Sequence, residues 1–323
     1  MIKFLQEHYL KCLLVLVCCA GISKPASAQM ENDGIMIPKN YLCPGVMYSN
    51  SGWTNYWEGT FKRDNGNLGR VTSQMYSLMV TYGVAKNLIA TVGLPYETTN
   101  ASAGTLEGQK GLQDLSLNVK WKALQVTTGT SVFSLFASVT GSIPASNYEA
   151  DFLPLALGSH SKNLSGRGLI DYHVGNFFAT GSGAYIYRSN ITIDRTSYYT
   201  TQLIYSNQVE LPNMTDYNFR TGYRSKYFIG EAILDKSTSL GGFDIRKNDM
   251  PFPSNRMNMT SAGVNFRFRL KSFYALELTA GDDYVFSGRN VGQANMIHGG
   301  LSYIFSLAKN KVVETPNTNF YKN

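Results

Sequence analysis

Charged side chains in this sequence recur at every second position of segments whose remaining positions are apolar. In "QDLSLNVKWKAL", residues 113–124, Leu115, Leu117, Val119, Trp121 and Ala123 alternate with Ser116, Asn118, Lys120 and Lys122. In "TSAGVNFRFRL", Arg267 and Arg269 oppose Val264, Phe266 and Phe268, and in "SFYALELTAGD" Glu277 opposes Leu276 and Leu278. Followed along the chain, the pattern collects Glu58, Asp114, Lys120, Lys122, Asp171, His173, Arg220, Glu231, Arg267, Arg269 and Glu277 on faces opposite the apolar ones, together with Lys62, Arg188 and Asp235. Facing groups of both signs can pair into a network that fills an interior. They can equally line a polar path that selects among solutes.

Catalysis would need more than this. A lipid hydrolase needs a nucleophile, a histidine base and a group that orients it. After residue 28 the histidines are His160, His173 and His298. His160 falls in a long connection; the other two fall on charged faces, outside any nucleophile motif. G-x-S-x-G, H-E-x-x-H and a phosphate loop are all absent. His173 and His298 with Asp171 are of metal-ligand type and no more. No catalytic residue, metal site or cofactor is assigned, and an enzyme acting on lipid stays as the alternative.

The elements that must position these groups are strands, because an exact two-residue period is that of a pleated chain. Helical spacing fails on the first segment: Leu115, Asn118, Val119 and Lys122 would share a face. Twelve strands are expected, at 53–62, 71–82, 87–97, 111–123, 130–142, 165–175, 178–190, 214–223, 226–236, 258–269, 272–283 and 295–306. Most have about 9–13 residues, the length that a tilted strand needs to cross a bilayer. Soluble sandwich strands are nearer five or six. Tight connections near 83–87, 125–130, 175–177, 224–226 and 271–272 alternate with long ones at 63–70, 98–110, 143–164, 191–213, 237–257 and 284–294. Short turns on one side and long loops on the other mark outer-membrane barrels. Residues 198–212 also look strand-like. They are placed as strand structure in an external loop or as an extension of the eighth strand.

Composition agrees. Charged residues are 16% of the 323, aromatic ones 13%, and Gly counts 30, which suits many strands better than a helical bundle. The start has a leader's form: two lysines in residues 1–11, the apolar run 12–22, and Ala26-Ser27-Ala28 as a cleavage site. The run is too short to span a membrane as a helix. Without residues 1–28, Lys3, Lys11, Lys24 and Glu7 are lost and the formal charge falls from +7 by two. The basic residues are scattered, which excludes a nucleic-acid surface. Of four cysteines only Cys43 follows the leader, so no intrachain disulfide is expected. The expected division is therefore a signal peptide at 1–28 and an N-terminal periplasmic segment or short plug at 29–52. A transmembrane barrel at 53–307 and a periplasmic tail at 308–323 complete it.

Four stretches carry a resemblance: "NSGWTNYWEGTFKRDNGNLG", "YGVAKNLIATVGLPYETT", "GLQDLSLNVKWKAL" and "GSIPAS". Their order, with Tyr82-Gly83, Leu94-Pro95-Tyr96, Gly111 with Asp114, and Lys120-Trp121, resembles the outer-membrane transporter family named after the meta-pathway of phenol degradation. That family is loosely akin to the long-chain fatty-acid channel. Ile143-Pro144-Ala145 departs from its Pro-Thr-Gly. The resemblance is clearest over 50–145 and rests on turn and strand signatures. It implies a porin-like channel in a Gram-negative outer membrane, for small and hydrophobic or aromatic solutes. Outer-membrane lipid and a small solute are the implied partners. A structural or surface-interaction barrel, its function carried by the long loops, is the remaining alternative.

Overall fold

The computed structural model describes residues 31–247, 249–270 and 275–308. The expected leader, the 271–272 turn and nearly all of the expected tail lie outside the described residues. Among the described residues twelve long strands form an antiparallel barrel: β1 Tyr41–Trp53, β2 Val71–Ala85, β3 Leu88–Ala101, β4 Asp114–Thr128, β5 Ser131–Pro144, β6 Asn163–Val174, β7 Phe177–Arg188, β8 Met214–Arg224, β9 Phe228–Ser239, β10 Asn258–Arg269, β11 Leu276–Arg289 and β12 Asn295–Tyr303. Each pairs with its sequence neighbours, and β1 also pairs with β12, from Gly45 opposite Ser302 to Gly52 opposite Asn295. Closure leaves no row of unpaired backbone groups, which a bilayer would not tolerate. No described helix is long and apolar enough to cross a membrane.

The side-chain period decides what the wall faces. Leu117 is 50% exposed and Trp121 51%, while Lys120 between them is 1% exposed. Val264, Phe266 and Phe268 point outward on β10, and Asn265, Arg267 and Arg269 are buried between them. The apolar faces thus form the outside of the barrel and the polar faces its interior, the arrangement of a transmembrane barrel.

The turns at one end are tight. Gly129 and Gly175 take φ of 58° and 56° in the two-residue links 129–130 and 175–176, where a first central glycine accepts the left-handed conformation at no steric cost. The other end carries the long connections, which pack on one another. Ala150, Ile191, Ile193, Val209 and Leu211 cluster with Tyr198 and Phe252. Leu68, Val71 and Leu155 cluster with Trp53, Ala101, Leu106 and Phe152. Residues 198–212 stay in this layer as short ribbons, Tyr198–Tyr199 with Leu203–Ile204 and Ile191–Thr192 with Gln208–Val209.

Two corrections follow for the strand map. The first strand is Tyr41–Trp53 and not 53–62; Asn55–Glu58 and Phe61–Asp64 pair instead as a hairpin among the long connections. "YLCPGVMYSNSGW" hides its period because Pro44, Asn50 and Gly52 interrupt its outward face, while aromatic-rich "NYWEGTF" imitates a strand. The barrel therefore begins twelve residues earlier than 53. The connection expected at 284–294 is short, since β11 runs on to Arg289.

Candidate functional site in the barrel interior

The interior is organised around the N-terminal segment, residues 31–40, which turns at 31–34, touches several strands of the wall and then joins β1. Asp33, Ile35 and Ile37, at alternate positions, are buried. Lys120 on β4 donates from Nζ to the Asp33 carbonyl at 3.0 Å and to Oδ1 at 3.2 Å. Arg267 on β10 places Nη1 3.0 Å from Asp33 Oδ2. Ile35 packs on Phe178 of β7 and Ile229 of β9. Ile37 packs with Tyr41, Cys43, Ile89 and Ile304, so the lone cysteine is a small buried filler. Glu31 accepts from Thr140 Oγ1 at 2.9 Å and lies 3.5 Å from Arg167 Nε. Glycine makes this close fit possible: a Cβ on Gly34 would overlap the Asp171 side chain, and one on Gly83 the Pro38 carbonyl.

The wall supplies its own pairs. Arg267 Nη2 reaches Glu231 Oε1 at 3.2 Å, and Arg220 Nη1 reaches the same oxygen at 3.1 Å. Asn265 donates to it at 2.8 Å. Arg269 pairs with Glu277 at 3.1 Å. Asp171 accepts from Thr180 at 2.5 Å and lies 3.5 Å from Arg224, whose guanidinium covers the Phe178 ring at 4.0 Å. Each buried ion thus has a counter-ion or hydrogen-bond partner, which a low-dielectric interior demands.

The structure brings Lys120 and Arg267 onto Asp33, and Arg267 and Arg220 onto Glu231, with Arg269 and Glu277 as a neighbouring pair on β10 and β11. Asp171 and His173 are buried on β6. Lys122 is part-buried and donates to Gln125 at 2.6 Å. Asp114 stands apart, at the long-loop end, where Tyr148 donates to it at 2.6 Å. Burial and that bond push the Tyr148 hydroxyl well above its usual range. Glu58 is a correction: it lies in the loop hairpin, paired with Arg63 at 2.7 Å, because the hairpin and not the first strand contains it. Lys62 goes with it. His298 Nδ1 is 3.6 Å from Asp283 and Nε2 is 3.2 Å from Asn265, which sets the ring between a carboxylate and an amide.

Sequence reasoning missed Asp33, Glu31, Arg167, Asp216 and Asp283. Asp33 had a signal: it shares parity with Ile35 and Ile37. Arg167, which pairs with Asp216 at 2.7 Å, shares parity with Asp171 and His173 on one strand.

Charge is graded along the axis. Near the long-loop end the inward faces carry Glu97, Asp114, Asp216, Asp235 and Asp283 against Arg167 and Arg188. Toward the tight-turn end they carry Lys120, Lys122, Arg220, Arg224, Arg267 and Arg269 against Asp171, Glu231 and Glu277. Between the charges, Val132, Phe136, Leu169, Phe178, Ile229 and Ile233 are buried on the same inward faces.

Among solved structures the chain is similar to an outer membrane channel from Pseudomonas putida F1, with TM-score 0.69 and 16% identity over 86% of this chain and 100% of that one. Weaker likenesses include the translocator domain of the autotransporter NalP from Neisseria meningitidis (TM-score 0.42, 12% identity, 94% of this chain and 96% of that one) and the NanC porin (0.44, 9%, 80% and 98%). At these identities the likeness is one of fold. No family model and no curated protein matches the chain.

Proposed function

We propose that this chain is a channel of a Gram-negative outer membrane, reached after loss of the leader, that passes small solutes of hydrophobic or aromatic character. The observation that carries the reading is the amphipathic interior. An interior that offers both charge and hydrocarbon suits a solute that has both. This one sets Phe178, Ile229, Ile233 and Leu169 beside Arg220, Arg267 and Asp171 on the same inward faces. Twelve strands lie between eight, which side chains fill, and sixteen, which leave a water channel. The fold likeness to an outer membrane channel supports the reading. The motif resemblance to the family named after the meta-pathway of phenol degradation supports the aromatic preference. Lipid outside and the solute inside are its only required partners.

The test is reconstitution of the full chain in planar bilayers and liposomes. Conductance, with uptake of benzoate or phenol ahead of glucose, is the expected result. Silent bilayers and equal uptake by empty liposomes would remove the channel reading.

A further inference from the structure

The N-terminal segment has the chemistry of a ligand. Asp33 presents a carboxylate to two cations, Lys120 at 3.2 Å and Arg267 at 3.0 Å. Two residues on, Ile35 presents a hydrocarbon to Phe178 and Ile229. The chain bends between them, with the Ile35 amide donating to Asp33 Oδ1 at 3.2 Å, so one short bend presents both the carboxylate and the hydrocarbon. Gly34 between them fits closely against Asp171, where a Cβ would overlap that side chain. A short fatty or aromatic monocarboxylate has the same two parts.

We infer that Lys120 and Arg267, with the apolar patch of Phe178 and Ile229, form a binding site for amphipathic monocarboxylates, which Asp33 and Ile35 occupy as an internal substitute. The inference rests on the channel reading and names its solute class. Exchange is the physical core of it. If the segment simply withdrew, Lys120 and Arg267 would both lose the Asp33 carboxylate that they share, and breaking a buried ion pair is strongly unfavourable. A carboxylate that arrives as Asp33 departs keeps the charges matched throughout. An uncharged solute cannot do this. The segment therefore yields to carboxylates and resists their amides. The carboxylates at the long-loop end bear on how fast an anion arrives, not on its occupancy at equilibrium.

The experiment measures binding at equilibrium. Hexanoate, hexanamide and hexylammonium are titrated calorimetrically into the folded full chain in detergent, as wild type, Asp33→Ala and Ile35→Ala. Hexanoate alone should bind the wild type. Asp33→Ala should bind it at least about tenfold more tightly, since the internal competitor is gone and each factor of ten needs only 1.4 kcal/mol. Ile35→Ala, which keeps every charge, should tighten it by a smaller factor and covers the case in which Asp33→Ala folds poorly. Hexanoate, and not hexanamide, should also raise the temperature at which Asp33→Ala loses its folded gel mobility. Equal affinity for hexanoate and hexanamide, or unchanged hexanoate affinity in both variants, would overturn the site. Tight, carboxylate-selective binding in a barrel that conducts nothing would keep the site and remove the channel reading alone.

Discussion

Asp33 and Arg267 come from opposite ends of the sequence and meet at 3.0 Å inside the barrel, with both side chains at 2% exposure or less. Arg267 also reaches Glu231, so one guanidinium ties the N-terminal segment to the wall network. Replacing Arg267 by Met takes one cation from each of two buried carboxylates, leaving Asp33 with Lys120 and Glu231 with Arg220. A broken buried pair costs about 3–5 kcal/mol, and the variant should lose folded gel mobility at a clearly lower temperature than the wild type. An unchanged transition would mean that the interior is better hydrated than its burial implies.

Leu117→Arg puts a cation on the outer face. At mid-bilayer this costs about 2–4 kcal/mol, so refolding into lipid vesicles, followed by tryptophan fluorescence against urea, should shift to lower urea. Lys120→Ala is expected from the sequence to leave folding intact. The structure changes that expectation: Lys120 is 1% exposed and bonded to Asp33, so this substitution should also destabilise, through the interior. Folding of Leu117→Arg as well as wild type would invert the phasing.

Gly83→Val and Gly166→Val form a controlled pair. A Cβ at Gly83 would meet the Pro38 carbonyl, whereas Gly166 has open space around it. The first should dislodge the N-terminal segment and raise conductance in planar bilayers several-fold. The second should match wild type. Equal conductance in both would argue that the segment does not restrict the pore.

The long connections contain one acid-sensitive latch. Hydrogen bonds from Arg289 hold the Asp244 carboxyl at about 2, below its usual 3.8. Asn290 also donates to it at 2.8 Å. A depressed carboxylate contributes stability above its unfolded value and loses it as pH falls through the folded one. Hydrogen exchange at Ile245, whose amide donates to Asn290 at 3.1 Å, should be flat above about pH 4 once corrected for intrinsic rate. It should quicken as pH falls toward 2. Asp244→Asn should abolish that acid step; persistence of the step would assign it elsewhere.

Most of the barrel was legible because a strand between lipid and a polar interior must alternate strictly. Asp114–Lys122 and Ser261–Arg269 do so without interruption, and each strand changes parity only at a register shift, beyond Lys122 in one and before Ser261 in the other. Tyr41–Trp53 was hidden where Pro44, Asn50 and Gly52 break its outward face, and Glu58 was misplaced with it. Lys120, Arg267, Glu231 and Arg220 could be put on inward faces from parity alone. That they join Asp33 in one network could not, because strand register, and the path of a ten-residue segment lacking regular hydrogen bonds, are set by tertiary contacts and not by period.

The graded charge of the interior has an electrical consequence. Carboxylates gather at the long-loop end and cations at the tight-turn end, so the wall carries a fixed dipole along the barrel axis. A pore with such a dipole is a rectifier: an applied voltage adds to its field in one direction and opposes it in the other. Current–voltage curves in symmetric salt should bend rather than run straight. They should straighten in concentrated salt, as the screening length shrinks to about 3 Å at 1 M.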